Sequence, residues 1–251
     1  MKQVLVSAGD AITAKLVEEA GFDGIWISGF EASARLGLAD NGSITMTEML
    51  NIAKPIVDAV KIPVWVDVDT GYGNFARTVK EFEKIGVTGV CVQDDVEGCK
   101  TNSLWGGGSP LMKPIDFCKK INVPRETINI MARTESIIRG ESIYELKNRL
   151  INYIANSGTN ILLIHTRNSE KIYTIDDFPC AIVPTKFPHY TNKQLFDRGY
   201  SMVIWANQTE RVKIKATRQA LKSMKENDCA LYVEDTLSAS LEDMKALTPN
   251  V

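Results

Sequence analysis

The sequence predicts a (β/α)8 TIM-type barrel followed by an extra C-terminal helix. Three observations predict it. Short apolar runs rich in Val, Ile and Trp alternate with amphipathic helical stretches along the whole 251-residue chain. Eight such runs occur, several of them apolar on both faces, as strands covered on both sides of a sheet must be. No G-x-G-x-x-G follows an early strand, which disfavours the competing doubly wound open sheet. No linker, low-complexity tract or charge block divides the chain, so residues 1–251 read as a single barrel domain.

The first strand is expected over 3–7, with Asp10 placed to cap a helix over 11–20 that Gly21 ends. The second strand, 24–29, runs into a long loop carrying Asp40. A helix over 45–60 follows, with Met46, Met49, Ile52, Ile56 and Val57 on one side. The third strand starts at Pro63 and delivers Asp67 and Asp69 to one face, because side chains alternate with period two. Its apolar body is Val64, Trp65, Val66 and Val68, and glycines then permit the tight turn Thr70-Gly-Tyr-Gly-Asn74. The helix 76–85, closed by Gly86, leads to a fourth strand over 89–95 and a glycine-rich loop over 97–108. Helix 114–121, strand 128–134 and helix 142–156 come next. Strand 159–166 contains His165, and strand 180–186 is the seventh. Helix 191–199, strand 201–207 and helix 210–226 complete the alternation. A short last helix over about 238–247 places Leu241, Met244 and Leu247 together.

Charged residues make up 24% of the chain and apolar ones 44%, ordinary globular proportions. A net charge of -2 gives no reason to expect a nucleic acid or a membrane as partner. No apolar run approaches transmembrane length, and the first residues lack a secretory pattern. A cytoplasmic enzyme acting on a small molecule is the expected class. The five cysteines, Cys91, Cys99, Cys118, Cys180 and Cys229, are odd in number and lack C-x-x-C spacing. They support neither a disulfide framework nor a zinc cluster. Cys91 reads as a small core residue, and Cys99 as an incidental thiol rather than a nucleophile.

A barrel gathers its chemistry at the carboxyl ends of its strands. Those ends supply Ser28 and Gly29, Asp67 and Asp69, Gln93 to Asp95, Arg133 and Glu135, His165, and Thr185 with Lys186. Two acids at the end of a buried strand are costly unless a positive charge neutralises them. A hard cation such as Mg2+, which takes oxygen ligands and keeps waters, is the economical partner; a solvated strand end capping the next helix is the alternative. Arg133 suits an anion or a rim ion pair with Glu135 or Asp67. His165 suits a ligand or a hydrogen-bonded core position, and Lys100 a solvated loop or a closing one.

The segments Trp26-Ile-Ser-Gly-Phe30, Asp67-Val-Asp-Thr-Gly-Tyr-Gly-Asn74, Lys100-Thr-Asn-Ser-Leu104 and Ala132-Arg-Thr-Glu135 resemble the phosphoenolpyruvate mutase branch of the isocitrate lyase superfamily. So do Ile164-His-Thr166, Val183-Pro-Thr-Lys186 and Met202-Val-Ile-Trp-Ala-Asn207, and the likeness runs from about Ser7 to the end. The Asp-x-Asp-Thr-Gly-Tyr-Gly-Asn motif belongs to the whole superfamily; the Lys-Thr-Asn-Ser-Leu loop is the narrower signal. The resemblance implies interconversion of phosphoenolpyruvate and phosphonopyruvate with Mg2+. It implies that Asp69 holds the metal, with Asp67 acting through bound water. Trp26, Ser28, Gly29, Phe30 and Thr185 would shape the substrate site, while Arg133 and His165 bind the phosphoryl oxygens. Lys100 and Asn102 would close over the group from a loop, and Asp40 would accept or guide it. Family members carry Glu-Asp-Lys where this chain has Gln93-Asp-Asp95, and the loop before Lys100 is one residue longer. Gln93 can hydrogen-bond a metal-bound water without adding charge, and Asp94 is the neighbouring acid that would restore it.

Three other readings compete, two of them activities. Phosphonopyruvate hydrolase shares the site but carries threonine at the position of Asn102. A carbon–carbon lyase would use a loop cysteine in a Lys-Lys/Arg-Cys-Gly-His signature, replaced here by Lys-Thr-Asn-Ser. A non-catalytic relative is the third, motivated by Gln93. The family assembles as tetramers that exchange a terminal helix, with which the apolar positions of the last helix are compatible.

Overall fold

The computed structural model describes residues 2–98, 100, 104, 110–168, 170, 173–175 and 178–248. Among them, eight parallel strands close into a barrel in chain order. The strands are β1 (Gln3–Ser7), β2 (Gly24–Ile27), β3 (Val64–Asp67), β4 (Gly89–Gln93), β5 (Asn129–Thr134), β6 (Ile161–Ile164), β7 (Cys180–Ile182) and β8 (Met202–Trp205). The helices are α1 (Ala11–Glu19), α2 (Gly29–Arg35), α3 (Met46–Ala59), α4 (Phe75–Lys84), α5 (Pro114–Ile121), α6 (Ile143–Asn156), α7 (Asn192–Asp197), α8 (Gln208–Asn227), α9 (Leu231–Thr236) and α10 (Leu241–Leu247). The expected (β/α)8 barrel is thus the observed one.

The period of two sorts each strand into an inner and an outer face. Leu5, Trp26, Trp65, Cys91, Met131, Leu163, Ala181, Met202 and Ile204 fill the barrel as one buried cluster. The alternate residues, among them Val66, Val90, Val92, Ala132, Leu162 and Val203, pack outward with the helices in a second, larger cluster. Trp65 pairs in register with Gly89. A Cβ at position 89 would lie 2.4 Å from the indole, so glycine is what lets this ring cross the barrel interior. Above the apolar floor, the same inward face carries Asp67, Gln93, Arg133, Glu135 and His165 toward the carboxyl end.

Local signals explain the helix starts. Asp10 caps α1 by accepting from the Thr13 amide, as expected. Thr45 with Glu48 and Ser142 with Glu145 form reciprocal capping boxes on α3 and α6. Two expectations need correction. The stretch after β2 is not simply a loop: α2 begins at once, with Ser28 accepting from the Glu31 amide. Asp69 is not on the third strand, which ends at Asp67; it sits in the following turn with φ 49°. Aspartate is among the few residues that tolerate this left-handed region at modest cost.

Beyond β8 the chain forms α8, none of whose side chains is buried, and then α9, which the hydrophobic spacing did not signal. Leu241 of α10 is 76% exposed and Leu231 of α9 is 67% exposed. No helix among the described residues is long and apolar enough to cross a membrane.

Candidate active site

The carboxyl ends of the strands surround a cavity lined on one side by Trp26, Ser28, Phe30, Asp40, Asp67 and Lys100, and on the other by Arg133, His165, Thr185 and Asn207. The acidic side is built by β2 and β3. Asp67, the last residue of β3, and Asp69, in its turn, are both buried, and Gly29 opens α2 beside them. A Cβ at Gly29 would lie 3.0 Å from Asp69 Oδ1 and 3.7 Å from Asp67 Oδ2, so the glycine keeps a small space in front of both carboxylates.

Lys100 reaches into this acidic corner. Its Nζ lies 2.6 Å from Asp69 Oδ1 and donates to Asp40 Oδ1. The lysine side chain is only 4% exposed, which removes the solvated-loop reading. Burial alone would lower its pKa, but the charges of Asp69, Asp40 and Asp67 outweigh this and raise it, so Lys100 stays an ammonium. Asp69 moves the other way. Burial lifts it to about 6, with Lys100 pulling it down and Asp67 pushing it up. Although Lys100 is within ion-pair distance, neither Asp69 oxygen accepts a hydrogen bond of good geometry from the described residues. A buried carboxylate whose oxygens lack hydrogen bonds is a group that a cation would satisfy.

The cationic side is built by β5 and β6. Glu135, inward-facing by the period of two from Arg133, is fully buried and holds both neighbours. Arg133 Nε donates to Glu135 Oε1, and His165 Nδ1 lies 2.7 Å from Glu135 Oε2. Arg133 Nη1 also reaches Asp67 Oδ2 at 3.3 Å, tying the two sides together. His165 Nδ1 is 3.0 Å from Arg133 Nη2 as well, but a nitrogen facing a carboxylate carries the proton and cannot accept from a guanidinium. Nδ1–H therefore donates to Glu135, and Nε2 is the ring atom left for a ligand. Burial would raise the Glu135 pKa, but Arg133 and His165 outweigh it and hold it at about 2. Thr185 Oγ1 and Asn207 Oδ1 are buried without a hydrogen-bond partner among the described residues.

The structure thus brings Trp26, Ser28, Gly29, Phe30, Asp40, Asp67, Asp69, Lys100, Arg133, His165 and Thr185 to one end of the barrel. Gln93 faces inward and is fully buried; its Nε2 donates to Asp95 Oδ2 at 2.5 Å, and its Oε1 has no partner among the described residues. Asn102 and Cys99 lie outside the described residues. Asp94 does not join the site. Following the inward Gln93, it points outward by the same alternation, where Thr134, Tyr153 and the Glu135 amide donate to it. The structure thus sets Asp94, expected as the neighbouring acid of the metal site, on the outer face and outside the cavity lining. Glu135, read from the sequence as a strand-end acid and a rim partner of Arg133, also holds His165, which the sequence reading did not foresee.

The arrangement fits Mg2+. Asp69, Asp67 and the orphaned Gln93 oxygen are hard donors, and Gly29 leaves room in front of the two acids. Among the described residues no three His, Cys, Asp or Glu groups form a complete cage. A cation held by one or two carboxylates, waters and substrate oxygens needs none. Glu31, behind Ser28, is a different kind of buried acid. Burial raises it to about 7, and its best partner is the Ser7 hydroxyl at 3.0 Å.

Comparison with known proteins adds the family. Residues 2–225 match the family model described as phosphoenolpyruvate phosphomutase. The phosphoenolpyruvate phosphomutase of Tetrahymena pyriformis is 32% identical, over 92% of this chain and 81% of its own. The 2,3-dimethylmalate lyase of Eubacterium barkeri is also 32% identical, over 94% and 86%. Among solved structures, the phosphoenolpyruvate phosphomutase of Streptomyces platensis subsp. rosaceus superposes with a TM-score of 0.90 at 30% identity, covering 98% of this chain and 90% of that one. A phosphonopyruvate hydrolase in complex with oxalate and Mg2+ gives 0.87 at 26% identity, covering 98% and 89%.

Proposed function

Because the chain belongs to the phosphoenolpyruvate phosphomutase family, we propose that it interconverts phosphoenolpyruvate and phosphonopyruvate with Mg2+ as cofactor. The observation that carries this reading is the division of one cavity. Acids and Lys100 stand at the ends of β2 and β3, and a rigid Glu135–Arg133–His165 array stands opposite. A molecule with an enolizable 2-oxo acid at one end and a phosphorus dianion at the other matches both halves.

In the forward direction the enolate carbon captures the phosphorus as the P–O bond breaks, and a C–P bond forms. Phosphoryl transfer passes through a loose transition state, so the protein's task is positioning and charge stabilisation. Asp69, assisted by Asp67 and Gln93, would hold the metal. Bound there, Mg2+ supplies positive charge for the carboxylate and the enolate oxygen. Ser28, Gly29 and Phe30 would hold the pyruvyl carboxylate, with Trp26 and Thr185 shaping the walls. Arg133 Nη atoms would donate to the phosphoryl oxygens, and so would His165 through Nε2–H in its imidazolium form, with Nδ1–H still on Glu135. Lys100, with Asn102 on the same loop, would cover the group and exclude water, while Asp40 guides it.

The hydrolase reading uses the same cavity; Asn102 in the Lys100-Thr-Asn-Ser sequence favours the mutase. Phosphorus NMR of the protein with phosphonopyruvate and Mg2+ separates them. Phosphoenolpyruvate is the expected product. Inorganic phosphate with pyruvate would replace this proposal by the hydrolase, and an unchanged spectrum would remove both. A cytoplasmic homotetramer is the corresponding proposal for the assembly, supported by the exposed apolar side chains of α8 to α10.

A further inference from the structure

Asp94 is a fully buried acid that faces away from the cavity, yet it is wired to it. Its Oδ2 accepts from the Thr134 hydroxyl at 2.7 Å and from the Tyr153 hydroxyl at 2.6 Å. Its Oδ1 accepts from the Glu135 backbone N–H at 3.0 Å. Its own amide donates to the Arg133 carbonyl at 3.1 Å. One residue of β4's end therefore grips three consecutive residues of β5's end. Arg149 Nη1 lies 3.6 Å from Oδ2, and Arg149 is itself held by Glu141 through two hydrogen bonds of 2.7 and 2.8 Å and by the Met112 carbonyl. Tyr153 and Arg149 both belong to α6, so the grip is anchored in a helix rather than in a loop.

Glu135 turns its side chain to the opposite face, where its carboxylate fixes Arg133 Nε and His165 Nδ1. Asp94 and Glu135 stand back to back across the strand. A shift of the Glu135 backbone would tilt the Arg133 and His165 side chains together, and Asp94 is the group that prevents it. We propose that Asp94, held by Tyr153, is a positioning residue that sets the orientation of Arg133 and His165 toward the anionic group of the substrate, and that it takes no part in binding the metal. This inference rests on the phosphonopyruvate reading for its substrate, but its structural core can be read without turnover.

The experiment compares wild type with Tyr153→Phe, which deletes one donor to Asp94 without opening a cavity, and with Asp94→Asn. The chain has two histidines, so the His165 tautomer can be followed by long-range proton–nitrogen correlation in the resting protein. Wild type is expected to show a protonated Nδ1 at His165, and Tyr153→Phe to move that signal away from this pattern. The KM for phosphonopyruvate is expected to rise roughly tenfold, below the about 100-fold that a misplacement of about 1 Å can cost. Mn2+ affinity, followed by electron paramagnetic resonance, is expected to stay within about twofold of wild type, since the change lies outside the metal site. An unmoved His165 signal overturns the proposal, whether or not KM changes. Mn2+ binding that weakens in Asp94→Asn in step with activity overturns it too, and reinstates a metal role. A wild type that fails to turn over phosphonopyruvate would defeat the functional reading alone, since the tautomer comparison remains decisive for the positioning role.

Discussion

Gly29→Ala separates the fold from the cation site more cleanly than any change to a charged residue. Gly29 is the first residue of α2, and its backbone is not in the left-handed region, so alanine can adopt it. On propensity alone the exchange favours the helix, by at most about 1 kcal/mol and less in a first turn. For a chain of this size that corresponds to a rise in melting temperature of about 2–4 °C or less. The new methyl would stand 3.0 Å from Asp69 Oδ1 and 3.5 Å from Lys100 Nζ, closer to the carboxylate than ordinary van der Waals contact allows. The carboxylate must retreat by a few tenths of an ångström, and the space in front of both acids closes. Disturbing metal ligands by their supporting contacts typically costs about 10–100-fold in affinity. That is roughly 1.4–2.8 kcal/mol. Mn2+ titration followed by electron paramagnetic resonance, with thermal melts alongside, measures both quantities. Mn2+ binding equal to wild type in a folded Gly29→Ala protein would refute the placement of the cation, and a collapse of the fold would refute the claim that alanine fits the start of α2.

Three further outcomes are expected. Lys100→Ala removes the ammonium 2.6 Å from Asp69, and Mn2+ should then bind roughly tenfold more tightly without substrate, because a neighbouring unit charge is worth on the order of 1 kcal/mol even in water. Turnover of phosphonopyruvate should fall by about 100-fold; weaker Mn2+ binding or wild-type turnover would contradict the role given to Lys100. Glu31 has its folded pKa raised, first by burial, from 4.5 to about 7, so the folded state keeps a proton that the unfolded chain has already released. Stability should therefore decline as pH rises from about 4.5 through about 7, and Glu31→Gln should relieve up to about 3 kcal/mol at pH 8 while retaining the Ser7 bond. Urea titrations of both proteins at pH 5 and pH 8 test this, and parallel pH dependence would reject it. Finally, light scattering should report a tetramer that Leu241→Glu with Met244→Glu breaks into smaller species; a monomeric wild type would count against the exposed helices as an interface.

Most of the barrel was legible because each strand is a short apolar run bounded by turn residues, and the start of α5 at Pro114 follows from proline's preference for a first helical position. The inward sequence Trp65, Asp67 and the pair Arg133, Glu135 follow from a period of two. That rule fails where the strand stops. Asp69 reaches the site through a left-handed turn, for which the alternation of a strand has no meaning. Helix α2 was missed although Ser28 and Glu31 have the spacing of an N-cap pair, because Gly29 and Phe30 lower the apparent propensity. The reversal of Asp94 was open to the same counting that placed Gln93. The partners that give Asp94 its role, Tyr153 and Arg149, come from a helix more than fifty residues away in the chain, and no local pattern announces such contacts. Helix α9 carries too few buried residues for periodicity to register, with Val233 its single buried side chain.

The most direct measurement is a crystal of the protein grown with Mn2+ and oxalate, a planar dianion shaped like the pyruvyl enolate. An anomalous peak bonded to the Asp69 carboxylate and shared with both oxalate oxygens, with Lys100 displaced from it, is the result expected. An Asp69 still paired with Lys100, with the manganese bound elsewhere or not at all, would contradict the site as assigned.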